Sequence, residues 1–126
     1  LFERNGLWSE IYGHIRRRWG DMVLAGDRTV WETFAEYGQG DWPTRSRCHP
    51  GMAYPLKYLV SGVLGLECRA PGWVRFGVDP KPPADLQFAR GSVPTPAGLI
   101  RVAWSRAHDG TPEVEVAAPQ GLVLEE

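Results

Sequence analysis

The sequence predicts an α+β fold: a helical first half and a strand-rich second half, with a loop dense in rings and charges between the helices. Three observations carry this. Apolar residues recur at helical spacing from Leu7 to Leu24 and again from Leu56 to Leu64. From Trp73 onward the chain alternates in twos between Pro- and Gly-rich turns. Between the helical stretches, Thr29 to Gly51 keeps neither period, yet holds Trp31, Phe34, Tyr37 and Trp42 among Glu32, Glu36, Asp41, Arg45, Arg47 and His49.

The first helix places Trp8, Ile11, Tyr12, Ile15, Trp19, Met22 and Val23 on one stripe, with Asn5 as N-cap and Gly26 as the C-terminal stop. A stripe of this kind packs a core, so Trp8 and Trp19 read as structural. Arg16, Arg17 and Arg18 fan over about 200° of the helix. Asp21 lies within i+3/i+4 reach of two of them, so the run reads as a solvated face. Gly26-Asp27 is a turn. Pro50, Gly51 and Pro55 lead into a second helix with Leu56, Leu59, Val60, Val63 and Leu64 on its apolar face and Gly65 as its stop. One helical pair cannot bury both apolar faces, so both need neighbours.

Cys68 to Gly72 reads as a turn, followed by strands at Trp73–Val78, Leu86–Ser92, Leu99–Arg106, Glu113–Ala117 and Leu122–Leu124. Short strands at this spacing predict a small antiparallel sheet or β-sandwich. Val102 and Trp104 share one face of their strand, and with Phe88 they are the candidate core.

Composition narrows the function. A formal charge of −1 removes the electrostatic argument for a nucleic-acid binder or a partner of acidic membranes. No apolar run approaches the roughly 20 residues of a membrane span. Cys48 and Cys68 make no disulfide framework and read as free thiols. Cys48-His49 would need further ligands, and Cys68, His14 and His108 are scattered over different elements, so neither a metal site nor any cofactor is expected. The chain opens on Leu1 and closes on Glu125-Glu126, and reads as cut from something longer.

The loop from Thr29 to Gly51 is the candidate site. Flat rings cover the C–H face of a ring-shaped polyol while carboxylates and forked donors bond its hydroxyls. Composition alone leaves a second reading open, an ordered loop whose aromatics plug the end of a domain.

Trp31-Glu32-Thr33-Phe34, then SRCHPGMAYPLKYLVSGVLGL from Ser46, APGWVRFGVDPKP from Ala70, DLQFARGSVPTPAGLIRVAW from Asp85 and EVEVAAP from Glu113 together resemble the C-terminal end of bacterial α-L-rhamnosidases. The resemblance covers nearly the whole chain and is strongest in the β-part. It implies that residues 1–67 are the last helices and active-site loop of an α/α six-hairpin barrel, and 68–126 the C-terminal antiparallel β-domain. It also implies inverting glycoside hydrolysis. One carboxylic acid protonates the leaving oxygen and one carboxylate activates water, the two standing roughly 6.5–9.5 Å apart.

By the same resemblance Glu32, directly after Trp31, is the general base, while His49 and Trp31 contact the sugar. The family's general acid lies upstream of this stretch. Each assignment has a plainer rival: Glu32 paired with Arg28, His49 satisfied by backbone carbonyls, Trp31 buried as packing, and Glu36 or Asp41 as the base instead. The implied partners are a rhamnoside or related glycoside, and either the N-terminal catalytic region or a second copy of the chain. The fragment alone is expected to be inactive. The competing function is an accessory β-sandwich module, either structural or gripping sugar through Trp73 or Trp104.

Overall fold

The structure, a computed structural model, describes residues 2–34 and 46–125. It is α+β and divides into two compact units, Leu1–Leu56 and Lys57–Glu126. Among the described residues, no helix is long and apolar enough to cross a membrane.

Helix α1, Trp8–Leu24, organises the first unit and buries Ile11, Tyr12, Trp19 and Met22. Val23 departs from the expected stripe, at 75% exposure. Adjacent helical residues sit about 100° apart, so with Met22 facing inward Val23 turns outward. The start also differs: Asn5 closes a short 3-10 turn, Glu3–Asn5, and Leu7 occupies the N-cap without a side-chain cap bond. The stop is as expected. Gly26 takes φ +73 and donates to Val23 O at 3.0 Å, while Asp27 donates to Met22 O at 3.2 Å. This paired pattern satisfies two orphan carbonyls and demands a left-handed residue between helix and exit.

Tyr12 is 5% exposed, and this burial pushes its phenol from 10.0 up to about 12. Below pH 10 the ring is neutral in both folded and unfolded chains. Between 10 and about 12 only the unfolded chain ionises, so stability falls as pH rises through that window. Urea midpoints measured across it should drop, and Tyr12→Phe should flatten the slope. An unchanged slope in that variant would show that another group drives the loss.

Helix α2, Pro55–Tyr58, continues as one π-helical turn, Leu59–Val63, closed by Leu64 N–H to Leu59 O at 3.0 Å. Gly65 then turns the chain at φ +74 into a strand the sequence reading missed, β1, Leu66–Cys68. Three residues are too few to show a period of two. Strand β2, Arg75–Val78, pairs antiparallel with β1. It starts later than expected because Trp73 sits in a 3-10 turn at φ +64 and packs its ring on the core.

Strands β3, Phe88–Thr95, β4, Gly98–Arg106, and β5, Pro112–Ala117, form an antiparallel meander. The last strand, β6, Val123–Leu124, returns to β2 and pairs with it in parallel, correcting the all-antiparallel expectation. Passage through the three strands of the other sheet brings the chain back alongside β2 in β2's own direction.

The order is therefore β1-β2-β6 in one three-stranded sheet and β3-β4-β5 in the other, a sandwich-like pair with one core. Leu66 and Phe76 come from the first sheet, Ile100 and Val102 from the second, and Leu64 from the end of the helix. Trp104 is also inward, opposite the small Ala89, and donates its indole N–H to Val63 O at 2.7 Å. Phe88 is not core: it is 67% exposed, because Ala89 and Val93 take the inward positions of β3. Arg106 fastens the linker before β3 by donating to Leu86 O at 2.8 Å and Pro83 O at 3.1 Å.

Gly65 is the tightest point of the second unit. A Cβ there would lie 2.2 Å from Pro80 N and 2.3 Å from Asp79 C, since Asp79 N–H bonds Gly65 O. Gly110, at φ +87, has open space where its Cβ would go. Gly110→Ala should therefore cost only the left-handed penalty, about 1–2 kcal/mol. Gly65→Ala should exceed it by roughly 1–3 kcal/mol of overpacking against rigid backbone. Equal urea midpoints for the two variants would refute the close approach.

Candidate functional site

The site grows from the end of α1. Gly26 reverses the chain and delivers Asp27, after which residues 29–32 run beside residues 46–49 in opposite directions. Two backbone bonds join them: Glu32 N–H to Ser46 O at 2.8 Å, and His49 N–H to Val30 O at 2.9 Å. The Thr29 hydroxyl donates to Arg47 O in the same ladder. Glu32 and His49, far apart in sequence, are thereby carried on two facing segments.

Trp19 closes the unit from the helix side. Its indole N–H donates to Met52 O at 2.9 Å, and its ring meets Phe34 and Tyr54 edge-on, each with centroids 4.8 Å away. Edge-to-face pairs at this spacing favour one geometry beyond simple burial. They tie down Phe34, just past Glu32, and Tyr54, just past the His49 turn.

Beside this ladder lies a hollow of about 470 Å³, lined by Trp19, Met22, Arg28, Val30, Cys48 and His49 among others. Ligand pockets run from roughly 300 Å³ upward, so a monosaccharide fits this space. The His49 ring borders it and lies over Gly51, where a Cβ would come within 3.1 Å of Nε2. Glu32 and Trp31 do not line the hollow. Glu32 is partly exposed, and among the described residues no hydrogen bond or ion pair, with Arg28 or any other group, engages its carboxylate.

Trp31 is held differently. Its Nε1–H donates to Asp27 Oδ2 at 2.5 Å, and Asp27 also pairs with Arg47 Nη1 at 3.3 Å. The Arg47 guanidinium carbon stands 5.5 Å from the centre of the Trp31 ring, within cation–π range. Asp27 was legible in the sequence only as a turn residue. The signal available was its i, i+4 spacing to a tryptophan directly after a helix stop. Glu36, Tyr37, Asp41, Trp42 and Arg45 lie outside the described residues. Among the described residues, no three His, Cys, Asp or Glu side chains gather as metal ligands would.

Together these observations define an α+β chain: a helical unit with a polar-rimmed hollow, then a two-sheet β-domain that ends the sequence. Residues 65–125 match the family described as the bacterial alpha-L-rhamnosidase C-terminal domain. The chain is also similar to an alpha-L-rhamnosidase of Alteromonas sp. (strain LOR), at 30% identity over 111 residues. That stretch is 85% of this chain and 12% of the Alteromonas protein, so the chain corresponds to a small part of its relative's length. No solved structure matches.

Proposed function

We propose that the chain is the C-terminal portion of an inverting α-L-rhamnosidase-like glycoside hydrolase and contributes its general base. Glu32 takes the proton from the attacking water and His49 bonds the sugar, while Trp31, held by Asp27 and Arg47, fixes the segment that carries Glu32. The helices over 1–67 are then the end of an α/α barrel, and 68–126 is its C-terminal β-domain. The acid that protonates the leaving oxygen comes from another part of the protein.

The observation that carries this reading is the pairing of the two segments. It puts Glu32, whose carboxylate no group among the described residues engages, on the segment paired with the one that carries His49, and His49 borders a hollow of about 470 Å³. A free carboxylate is what a base requires, because a salt-bridged one is a poorer proton acceptor. Similarity to a named alpha-L-rhamnosidase over 85% of the chain, the helical unit included, supports the same substrate class. The exposed Leu24, Leu56 and Leu59 support a further apolar partner, either the remainder of the catalytic region or a second copy of the chain.

For the β-domain taken alone, a structural accessory role has the better support. Trp104 faces the core with its N–H already bonded, and Trp73 packs against the same core, so neither offers a free platform to a sugar. The deciding experiment is turnover of an aryl α-L-rhamnoside by Glu32→Gln in a full-length protein carrying this segment, with circular dichroism to verify folding. Full activity in the folded variant would end the assignment.

A further inference from the structure

We propose that Asp27 is a positioning residue of this site: it locks the two facing segments that carry Glu32 and His49 by holding Trp31 and Arg47 at once. The inference rests on the assignment of Glu32 as base, and adds a residue that borders the same hollow but acts through its hold on Trp31 and Arg47.

The geometry is a closed triangle. Asp27 Oδ2 accepts from Trp31 Nε1 at 2.5 Å, and Arg47 Nη1 lies 3.3 Å from the same oxygen and 3.4 Å from Oδ1. The Arg47 guanidinium sits over the Trp31 ring at 5.5 Å. Trp31 precedes Glu32 on one segment, and Arg47 lies two residues before His49 on the other. A single carboxylate therefore sets the separation of both strands of the ladder from the side-chain side. The backbone bonds at Glu32 and His49 set it from within.

Asp27 is suited to this because it does not itself drift. The Gly26 turn bonds its N–H to Met22 O, so the anchor is the last turn of α1, whose Met22 is 3% exposed. A charged acceptor bonded to both an indole N–H and a guanidinium is stronger than a neutral one. Small displacements of a catalytic group are costly: about 1 Å is enough to lose roughly 100-fold in rate. A residue that fixes the base's neighbour thus shows in turnover and much less in sugar binding.

The test uses the full-length protein and an aryl α-L-rhamnoside. Asp27→Ala removes both contacts, while Trp31→Phe keeps the ring and deletes only the N–H. Each is expected to lower kcat about 10- to 100-fold with KM within threefold, and the double variant should be no worse than Asp27→Ala. Asp27→Asn, which retains an acceptor for the indole, should recover at least part of the lost turnover. Where Asp27→Ala does not fold, Trp31→Phe and Asp27→Asn decide. Folded Trp31→Phe within twofold of the parent, or losses that multiply in the double variant, would overturn the proposal. Glu32→Gln run in parallel separates the two levels: its full activity removes the base assignment. Its inactivity beside unimpaired Asp27 and Trp31 variants removes only the clamp.

Discussion

Glu32→Gln in a full-length protein carrying this segment is expected to lower kcat about 100- to 10,000-fold, the range general-base catalysis contributes. Glutamine keeps the length, planarity and backbone preference of glutamate, and the backbone bond from residue 32 to Ser46 O is indifferent to the side chain. What it loses is the capacity to accept a proton. Water attacking an anomeric carbon must shed one as the C–O bond forms, and with no base the developing charge stays on the nucleophile. On the proposed assignment KM should move little, since the sugar hydroxyls would be bonded by other groups, His49 among them. Steady-state kinetics with matched near-ultraviolet dichroism checks this. A variant within a few-fold of the parent would assign the proton to another carboxylate and leave Glu32 a surface residue.

Phe76→Ala should be the most damaging single truncation in the β-domain. Phe76 is 0% exposed and lies at the meeting of the two sheets, beside Leu66, Ile100 and Val102. Its strand is held on both sides, by β1 and by β6, so the walls cannot collapse into the vacated space. Loss of transfer energy plus an uncollapsed cavity costs about 3–5 kcal/mol for Phe→Ala. That approaches the whole stability of a small domain, about 5 kcal/mol at the low end. Urea denaturation followed by tryptophan fluorescence measures it. Phe88→Ala is the matched control, expected within about 0.5 kcal/mol for an exposed site. Similar losses at the two phenylalanines would mean β3 runs in the opposite phase.

The phase of β3 shows where reading from sequence stops. Phe88, Ala89, Val93 and Pro94 offer apolar residues on both faces of one strand. Hydrophobicity favours Phe88 as the core residue. The decision was made across the sheet, where residue 89 pairs with the buried Trp104 on the face that also carries Ile100 and Val102. On β4 the choice was legible, because Ile100, Val102 and Trp104 alternate with Arg101 and Ser105, and only one face is apolar. The site divides in the same way. Trp31-Glu32 and Cys48-His49 stood out as residue types, but that they lie on paired segments follows from backbone bonds between distant stretches of chain.

By itself the sequence determined what local chemistry can determine: α1 and its glycine stop, the helix before Gly65, five of the six strands to within a few residues, and the α+β class. Each depends on a period or a turn residue contained within one stretch of chain. The tertiary structure alone decided the three-residue β1, the parallel return of β6, the face of Phe88 and the clamp at Asp27. Each of these is settled by a partner far along the chain, whose packing outweighs the weak local preference of the residues themselves.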